Sequence, residues 1–234
     1  MLKKTFLHIP GVSQLTEQRL WAEGLIDWDS ALESRFKEHI KQSQKALQNN
    51  DHSYFKEMLP SKEHWRAYKH FSPCFLDIET TGLSKEYNDV TVIGLYDGQE
   101  SKIFVNGQNF DEFPEEIKKY NMIISFNGIC FDVPFLKSKF PNVDFNHLHA
   151  DLRWLMKRLG YTGGLKRIEK ELDITRGEEI AEVDGREAVR LWYRYKKGDE
   201  GALKTLIEYN KADIVNLKTL MDFTYDGLKN QIIK

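Results

Sequence analysis

The sequence has few of the features that mark extracellular or membrane proteins. It holds only two cysteines, Cys74 and Cys130, so neither a disulfide framework nor a cysteine-based zinc site is expected. Both stand within apolar runs, which favours small buried thiols. The longest apolar runs, 90–96 and 122–125, are far too short to cross a bilayer. Since the first ten residues also lack a secretory pattern, we expect a cytoplasmic protein with no membrane association.

An excess of charge of either sign is also missing. The chain has 34 Lys and Arg residues against 36 Asp and Glu residues, a formal net charge of −2. Nucleic-acid-binding proteins often show a strong basic excess. Local patches and bound cations, however, set the field that a phosphate experiences. The net charge therefore neither favours nor excludes a nucleic-acid partner.

The chain changes character near residue 71. Residues 1–71 are polar, with apolar side chains at spacings of three to five, which predicts a helical extension. In the remainder, 72–234, short apolar runs predict strands at 74–79, 90–96, 102–105, 122–126 and 147–150. Helical patterns follow at 111–119, 133–139, 152–159, 165–172, 186–196 and 201–225. We therefore predict an α/β domain whose mixed sheet, three antiparallel strands and then parallel ones, is flanked by helices.

Two carboxylates interrupt the first predicted strand. Asp77 and Glu79 share one of its faces because side chains alternate along a strand. Adjacent carboxylates in an apolar setting repel each other and lose hydration. A divalent cation reverses that balance, because Mg²⁺ and Mn²⁺ prefer hard oxygen ligands. The alternative is that both side chains point to solvent at a sheet edge.

Two further stretches carry carboxylates in unusual places. Asp132 stands among aromatic and aliphatic residues where a strand gives way to a helix. Its alternative role is to cap that helix, because Asp is favoured at the N-cap and Pro134 suits the first turn. Tyr209 and Asp213 are four residues apart, so they lie on one helix face at the margin of an apolar stripe. A local Tyr–Asp hydrogen bond is the alternative there.

Together the three stretches resemble the three exonuclease motifs of the DEDD superfamily, in its tyrosine subclass. The first motif, Asp-x-Glu-Thr-Thr-Gly-Leu, corresponds to 77–83. In the second motif an Asn precedes an aromatic–Asp pair, here Asn127 with 131–132, and the third is Tyr-x-x-x-Asp, here 209–213. The helix at 184–192 is similar to one in stand-alone predicted exonucleases of that superfamily. The resemblance implies a ribonuclease H-like fold and 3′-5′ exonuclease activity on single-stranded nucleic acid.

The resemblance also implies a metal site. Asp77, Glu79, Asp132 and Asp213 would hold two divalent cations, Mg²⁺ or Mn²⁺, with Asp77 shared between them. Glu79 and Asp213 are expected at the ion that activates water, and Asp132 at the other. Tyr209 would position that water, because a phenol with a pKa of about 10 is a poor base at neutral pH.

Substrate contacts are expected beside the carboxylates. By resemblance, backbone amides after the metal strand bind the 3′ hydroxyl and the last residue packs on the terminal base; these residues are Thr80, Thr81, Gly82 and Leu83. A plain Thr-Gly turn is the alternative. Asn127 is assigned with them, and Lys166, near a predicted helix N-terminus, is a candidate phosphate contact. Asp151 is a fifth candidate carboxylate, although its position where a strand gives way to a helix favours capping of that helix.

Several alternatives stay open on sequence alone. The fold could have kept nucleic-acid binding and lost turnover, or it could support a structure-specific endonuclease. DNA and RNA are equally compatible substrates, and no protein partner is predicted. In the extension, residues 8–13 faintly resemble half of a helix–hairpin–helix, although Ser13 replaces its usual second glycine. A helical cap on the nuclease core is the other interpretation of that segment.

Overall fold

The computed structural model describes residues 1–232, and its centre is a five-stranded sheet. The strands are β1 (Pro73–Thr80), β2 (Val90–Tyr96), β3 (Ser101–Val105), β4 (Met122–Ser125) and β5 (Leu148–Asp151). They lie in the order β3-β2-β1-β4-β5. β2 is antiparallel to β1 and β3, whereas β4 is parallel to β1 and β5. The predicted mixed sheet is thereby confirmed.

Helices flank the sheet. The α-helices are α1 (Gln14–Ala22), α2 (Lys37–Gln48), α3 (His52–Met58), α4 (Phe113–Ile117), α5 (Asp132–Lys139), α6 (Leu152–Arg158), α7 (Leu165–Glu171), α8 (Gly185–Tyr195) and α9 (Glu200–Ile232). Short 3₁₀ helices occupy Leu2–Lys4, Ser61–Ala67, Phe110–Glu112 and Glu178–Ile180. Of the helices described, none is both long and apolar enough to cross a membrane.

Side-chain alternation along β1 divides the core into two clusters. Leu76 and Ile78 pack with α4 and α5 on one face of the sheet. Phe75, on the opposite face, belongs to the cluster that contains α9 residues such as Leu217. Asp77 has the same parity as Phe75 and therefore points toward α9. Because of this alternation, the Asp77 side chain of the first motif faces α9, the helix that carries the third motif.

The N-terminal segment is fastened to the same core. Trp28 and Phe55 are buried in the cluster that includes Phe75, and their rings stack with centroids 6.1 Å apart. Arg66 is buried as well and binds two carboxylates, Glu17 at 3.0 Å and Glu63 at 2.7 Å. Buried charges persist only when they are paired and hydrogen-bonded. We still propose 1–71 and 72–234 as the units of the chain, as the composition suggested.

Three details differ from the sequence-based expectation. Residues 24–36 form turns rather than helix, and one of them, Trp28, donates its backbone N–H to Lys3 O at 2.9 Å. The last helix continues to Ile232. Cys130 is exposed rather than buried, because it lies in the turn that precedes α5, whereas the other thiol is buried as expected.

Candidate active site

Three carboxylates from two elements converge between β1 and α9. Oxygen atoms of Asp77, Glu79 and Asp213 all lie within 4.8 Å of one another. Glu79 is 7% exposed and Asp213 is 4% exposed, so water screens them poorly. The two β1 side chains share a face by alternation, and α9 packs directly on that face. The structure thus brings together residues separated by more than a hundred positions.

The pKa values of these three carboxyl groups are raised, because negative charge is unfavourable in the buried cluster. Burial raises the pKa of Asp77 well above its ordinary value, and the charges of Asp213 and Glu79 raise it further. Burial, followed by the charges of Asp213 and Asp132, raises the pKa of Glu79, and burial raises that of Asp213 to about 6. A positive charge among the carboxylates would relieve their repulsion. Mg²⁺ and Mn²⁺ prefer hard oxygen ligands of this kind. The residues therefore fit a divalent cation.

Asp132 lies beside this group but outside the set of three. It is the first residue of α5, whose N-cap position is Phe131. Its Oδ1 accepts a hydrogen bond from the backbone N–H of Ile78 at 3.2 Å, which ties it to β1 rather than to its own helix. Burial raises the pKa of Asp132 to about 7. Its charge also raises the pKa of Asp77, so the second motif acts on the same electrostatic site.

Asn210 orients the first carboxylate, a role that sequence reasoning missed. Its Nδ2 donates to Asp77 Oδ2 at 2.9 Å and to Asp77 O at 3.3 Å. Asn210 is fully buried against β2, where a Cβ at Gly94 would overlap its Oδ1. The partner of Asn210 could not be predicted, because it lies 133 residues away in the sequence.

Arg176 is the second functional residue that the motifs did not reveal. Its guanidinium donates to both oxygens of Glu169, at 2.7 and 2.8 Å, and also binds Asp213 Oδ1. Arg176 and Asp213 are each only 6% exposed in their side chains, so this ion pair is strong. The contact lowers the pKa of Asp213 against the larger effect of burial. A cation therefore already binds one member of the carboxylate set.

Tyr209 lies over the same site. It is buried, and burial followed by the charges of Asp213 and Glu79 raises its pKa far above the usual value. Its hydroxyl is therefore a hydrogen-bond donor at neutral pH and not a base. Lys166 Nζ lies 5.2 Å from the centroid of the Tyr209 ring, and the guanidinium carbon of Arg176 lies 5.5 Å from it.

An open cavity of about 480 Å³ gives access to the carboxylates. Its walls come from β1, the following turn, the start of α5, α8 and α9: Asp77, Ile78, Glu79, Thr80, Gly82, Leu83, Phe131, Asp184, Gly185, Arg186, Val189, Tyr209 and Asp213. Leu83 is 86% exposed, which suits a side chain that packs on a ligand. The start of α8, singled out by its sequence pattern, forms the wall that carries Arg186.

Three of the expected substrate contacts have structural partners instead of facing that cavity. Thr81 bonds to Asp89 through its N–H, at 2.9 Å, and through its hydroxyl. Asn127 adopts a left-handed backbone conformation, with φ of 68°, and its Oδ1 accepts from Arg153 at 2.7 Å. Lys166 Nζ donates to the backbone oxygens of residues 181 and 183. Their assignment to substrate remains a prediction.

Asp151 caps α6, as predicted. Its Oδ1 accepts from the backbone N–H of Arg153 at 3.1 Å. The same carboxylate also accepts from the N–H groups of Asn127 at 2.8 Å and Ile129 at 3.2 Å. Asp151 therefore holds together the start of α6 and the turn that leads to Asp132.

Solved structures of other proteins share this fold. The family B DNA polymerase from the hyperthermophilic archaeon Pyrobaculum calidifontis matches with a TM-score of 0.50 and 16% identity, over 69% of this chain and 24% of the polymerase. The chain thus spans about a quarter of that protein. The apo form of a nuclease matches with a TM-score of 0.50 and 19% identity, over 72% of this chain and 79% of the nuclease. Brucella melitensis NrnC with bound Mg²⁺ has a TM-score of 0.49 and 19% identity, over 68% of this chain and 75% of NrnC.

A family model supplies the more direct assignment. No curated protein matches the chain. The model described as RNase_H superfamily matches residues 74–225, which is more than half of the chain. The matched range begins in β1 and ends in α9, so it includes all four carboxylates and Tyr209. The protein therefore belongs to the RNase H superfamily.

Proposed function

We propose that this protein is a metal-dependent 3′-5′ exonuclease of the DEDD type, in its tyrosine subclass. The observation that carries the proposal is the group formed by Asp77, Glu79 and Asp213 beside Tyr209 in an open cavity. The similar solved structures share little sequence identity with this chain and therefore support only its fold, although one of them is a nuclease. The proposed activity therefore rests on the chemistry of these side chains.

Asp77, Glu79, Asp213 and the adjoining Asp132 would hold two divalent cations, Mg²⁺ or Mn²⁺. When bound, such ions lower the pKa of water and neutralise charge on the phosphate and on the departing oxygen. The protein's own contribution is orientation. Asn210 fixes the carboxylate of Asp77 through its amide N–H.

Tyr209 is proposed to orient the attacking water. Since its pKa is raised, its O–H stays protonated and can donate a hydrogen bond, but it cannot remove a proton at neutral pH. The activation of that water must therefore come from the carboxylate and metal site. Exchange of Tyr209 for Phe should keep substrate binding and lower kcat.

Recognition of a 3′ end is proposed for the turn that follows β1. Thr80, Gly82 and Leu83 line the cavity next to the carboxylates. The exposed Leu83 side chain can pack on a terminal base, and Arg186, which lines the same cavity, can contact a phosphate. Lys166 could also reach a phosphate once it is released from its two backbone acceptors.

One observation favours a second candidate, a nucleic-acid-binding module without turnover. The guanidinium of Arg176 binds Asp213, and a cation in that position competes with a metal ion for the same carboxylate. The two candidates differ in one measurable property, because only the enzyme shortens a strand. A structure-specific endonuclease would instead release internal fragments.

The test is a labelled-oligonucleotide assay. Single-stranded DNA, single-stranded RNA and a duplex would each be incubated with Mg²⁺, Mn²⁺ or EDTA, with Asp77→Asn and Tyr209→Phe as variants. We expect a metal-dependent ladder that shortens from the 3′ end of a single strand and is absent for Asp77→Asn. Binding without degradation in any metal would overturn the proposal in favour of the non-catalytic module.

A further inference from the structure

A short turn separates the catalytic cavity from a second groove. Residues 126–131 connect β4 to α5, and Phe131 of this turn lines the catalytic cavity. Ile129, two positions earlier, lines a groove of about 180 Å³ instead. Two residues span at most about 7 Å of chain. The groove therefore adjoins the catalytic cavity across the turn that delivers Asp132.

The groove presents apolar surface to solvent. Trp154 of α6 is 48% exposed and Ile129 is 46% exposed, and both line it. Its other lining residues come from the 3₁₀ helix at 61–67, β5 and α6: Ser61, Lys62, Trp65, His149, Ala150, Asp151, Leu155 and Arg158. Aromatic rings that stay exposed beside a cleft are typical of ligand-binding surfaces.

Positive charge surrounds the exposed ring. The guanidinium carbon of Arg153 lies 5.8 Å from the Trp154 ring centroid, and Lys157 Nζ lies 5.9 Å from it. Lys62 lines the groove as well. The acidic lining residue, Asp151, directs its carboxylate at three backbone N–H groups and not into the groove. The surface thus offers an aromatic face flanked by cations.

We propose that this groove binds an upstream nucleotide of the single strand whose 3′ end lies in the catalytic cavity; this inference rests on the proposed function. The base would stack on Trp154, and Arg153 and Lys157 would contact the neighbouring phosphates. Stacking on an aromatic side chain tolerates every base, and cations along the backbone add affinity without selecting sequence. Only an unpaired base can present its face in this way, so the groove selects a single strand.

The geometry also explains how the strand is aligned with the chemistry. Arg153 donates to Asn127 Oδ1 at 2.7 Å, and Asp151 binds the backbone of the same turn. A strand held on α6 therefore rests on the turn that positions Asp132. Asn127 is then a residue that supports the substrate path rather than one that contacts the terminal nucleotide.

The test compares binding of two lengths of substrate. A dinucleotide fills the catalytic cavity alone, whereas an oligonucleotide of about eight nucleotides also reaches the groove. Both would carry phosphorothioate linkages, so that binding in Mg²⁺ is measured by fluorescence anisotropy without turnover. The variants are Trp154→Ala, Trp154→Phe and Lys157→Gln. Phe223→Ala, an exposed aromatic of α9 outside both cavities, is the matched control.

We expect Trp154→Ala to raise the Kd of the longer oligonucleotide about tenfold and to leave that of the dinucleotide within about twofold. Trp154→Phe and Phe223→Ala should stay close to wild type. Lys157→Gln should lower the salt slope of binding by about one. An unchanged Kd for Trp154→Ala with the longer oligonucleotide, or an equal loss for both lengths, would overturn the proposal.

The two proposals can fail separately. If the wild type binds the longer oligonucleotide through Trp154 but never degrades an unmodified one, the exonuclease assignment fails and the groove stands. If degradation proceeds from the 3′ end while Trp154→Ala binds both lengths normally, the groove fails and the exonuclease stands. Should a duplex bind as tightly as the single strand, the stacking interaction would be excluded.

Discussion

At the scale of single residues, Asn210 and Arg176 act on the carboxylate group in different ways. Asn210 brings no charge, so it orients Asp77 without competing with a cation. Arg176 brings a full positive charge to Asp213 and is itself held by Glu169. A metal ion that binds Asp213 must therefore weaken or displace the Arg176 contact.

The residue-scale prediction concerns metal affinity. Arg176→Gln removes the competing charge and should lower the Kd for Mn²⁺ about tenfold or more, because two like charges a few ångströms apart in a poorly hydrated site repel strongly. Isothermal titration of Mn²⁺ would measure it. Arg167→Gln, which breaks a more exposed pair with Glu171, is the control and should leave the Kd unchanged. Weaker binding by Arg176→Gln would mean that Arg176 holds Asp213 in place.

Single residues also show most clearly what could not be predicted from the sequence. Asp77 and Glu79 could be predicted to share a face because strand alternation is a local rule, and Tyr209 and Asp213 followed from helical spacing. Arg176 lies 37 residues from Asp213, in a segment without regular periodicity. Its role arises only when α7 and α9 are brought together, so no local pattern indicated it.

At the scale of elements, the close contact between β2 and α9 depends on one glycine. Gly94 pairs with Asp77 in the sheet, and its missing side chain leaves the space that Asn210 fills. A Cβ there would also approach Ile214 Cγ2 to 3.1 Å. The helix can therefore lie near enough to β1 for Asp213 to join the strand carboxylates.

Gly94→Ala should accordingly affect both stability and catalysis. We expect a loss of about 1–3 kcal/mol in the free energy of unfolding from overpacking, and a fall in kcat of about 10–100-fold as Asn210 moves from Asp77. Urea unfolding and the exonuclease assay would measure the two effects. Gly164→Ala is the control, because Gly164 lies outside the cavity and a Cβ there meets no described atom within 4 Å. Normal turnover in a destabilised Gly94→Ala protein would contradict the role given to Asn210.

Most strands and helices could be predicted because their apolar periodicity is local. The mixed sheet, three antiparallel strands and then parallel ones, was predicted from the strand pattern together with the resemblance to a ribonuclease H-like fold, and the structure confirms it. The turns at 24–36 were missed because long-range bonds, such as that from Trp28 N to Lys3 O, decide them. Cys130 was placed wrongly because it stands on the turn before α5, where its apolar neighbours line cavities or pack on the core while the thiol itself stays exposed.

At the scale of the whole molecule, the N-terminal segment contributes part of the common core, including a buried histidine. His8 is 1% exposed, with its ring centroid 5.2 Å from that of Trp28 and 6.4 Å from that of Phe55. Within residues 1–232, which the structure describes, neither ring nitrogen has a hydrogen-bond partner. Burial, and secondarily the charge of His39, lowers the pKa of His8 to about 3. The folded state therefore favours the neutral form of the His8 side chain.

This histidine should make the fold sensitive to acid. Its pKa is about 3 in the folded chain against 6.5 when unfolded, so its contribution to stability is complete above pH 6.5 and is lost as the pH falls toward 3. By pH 5 the loss is about 2 kcal/mol. His8→Phe should therefore show a smaller drop in Tm between pH 7.5 and pH 5 than the wild type. His52→Gln, at a half-buried histidine of α3, is the control and should keep the wild-type dependence. An equal drop for His8→Phe would refute the assignment.

The position of Cys130 offers a practical route to observing the site. Cys74 is fully buried and its thiol pKa is raised by burial, so it resists alkylation. Cys130 is exposed on the turn between Ile129 and Phe131, each of which faces a different cavity. A maleimide spin label would attach at this one position in the native chain, without a cysteine-free background. Its spectrum would report Mn²⁺ on one side and a stacked strand on the other.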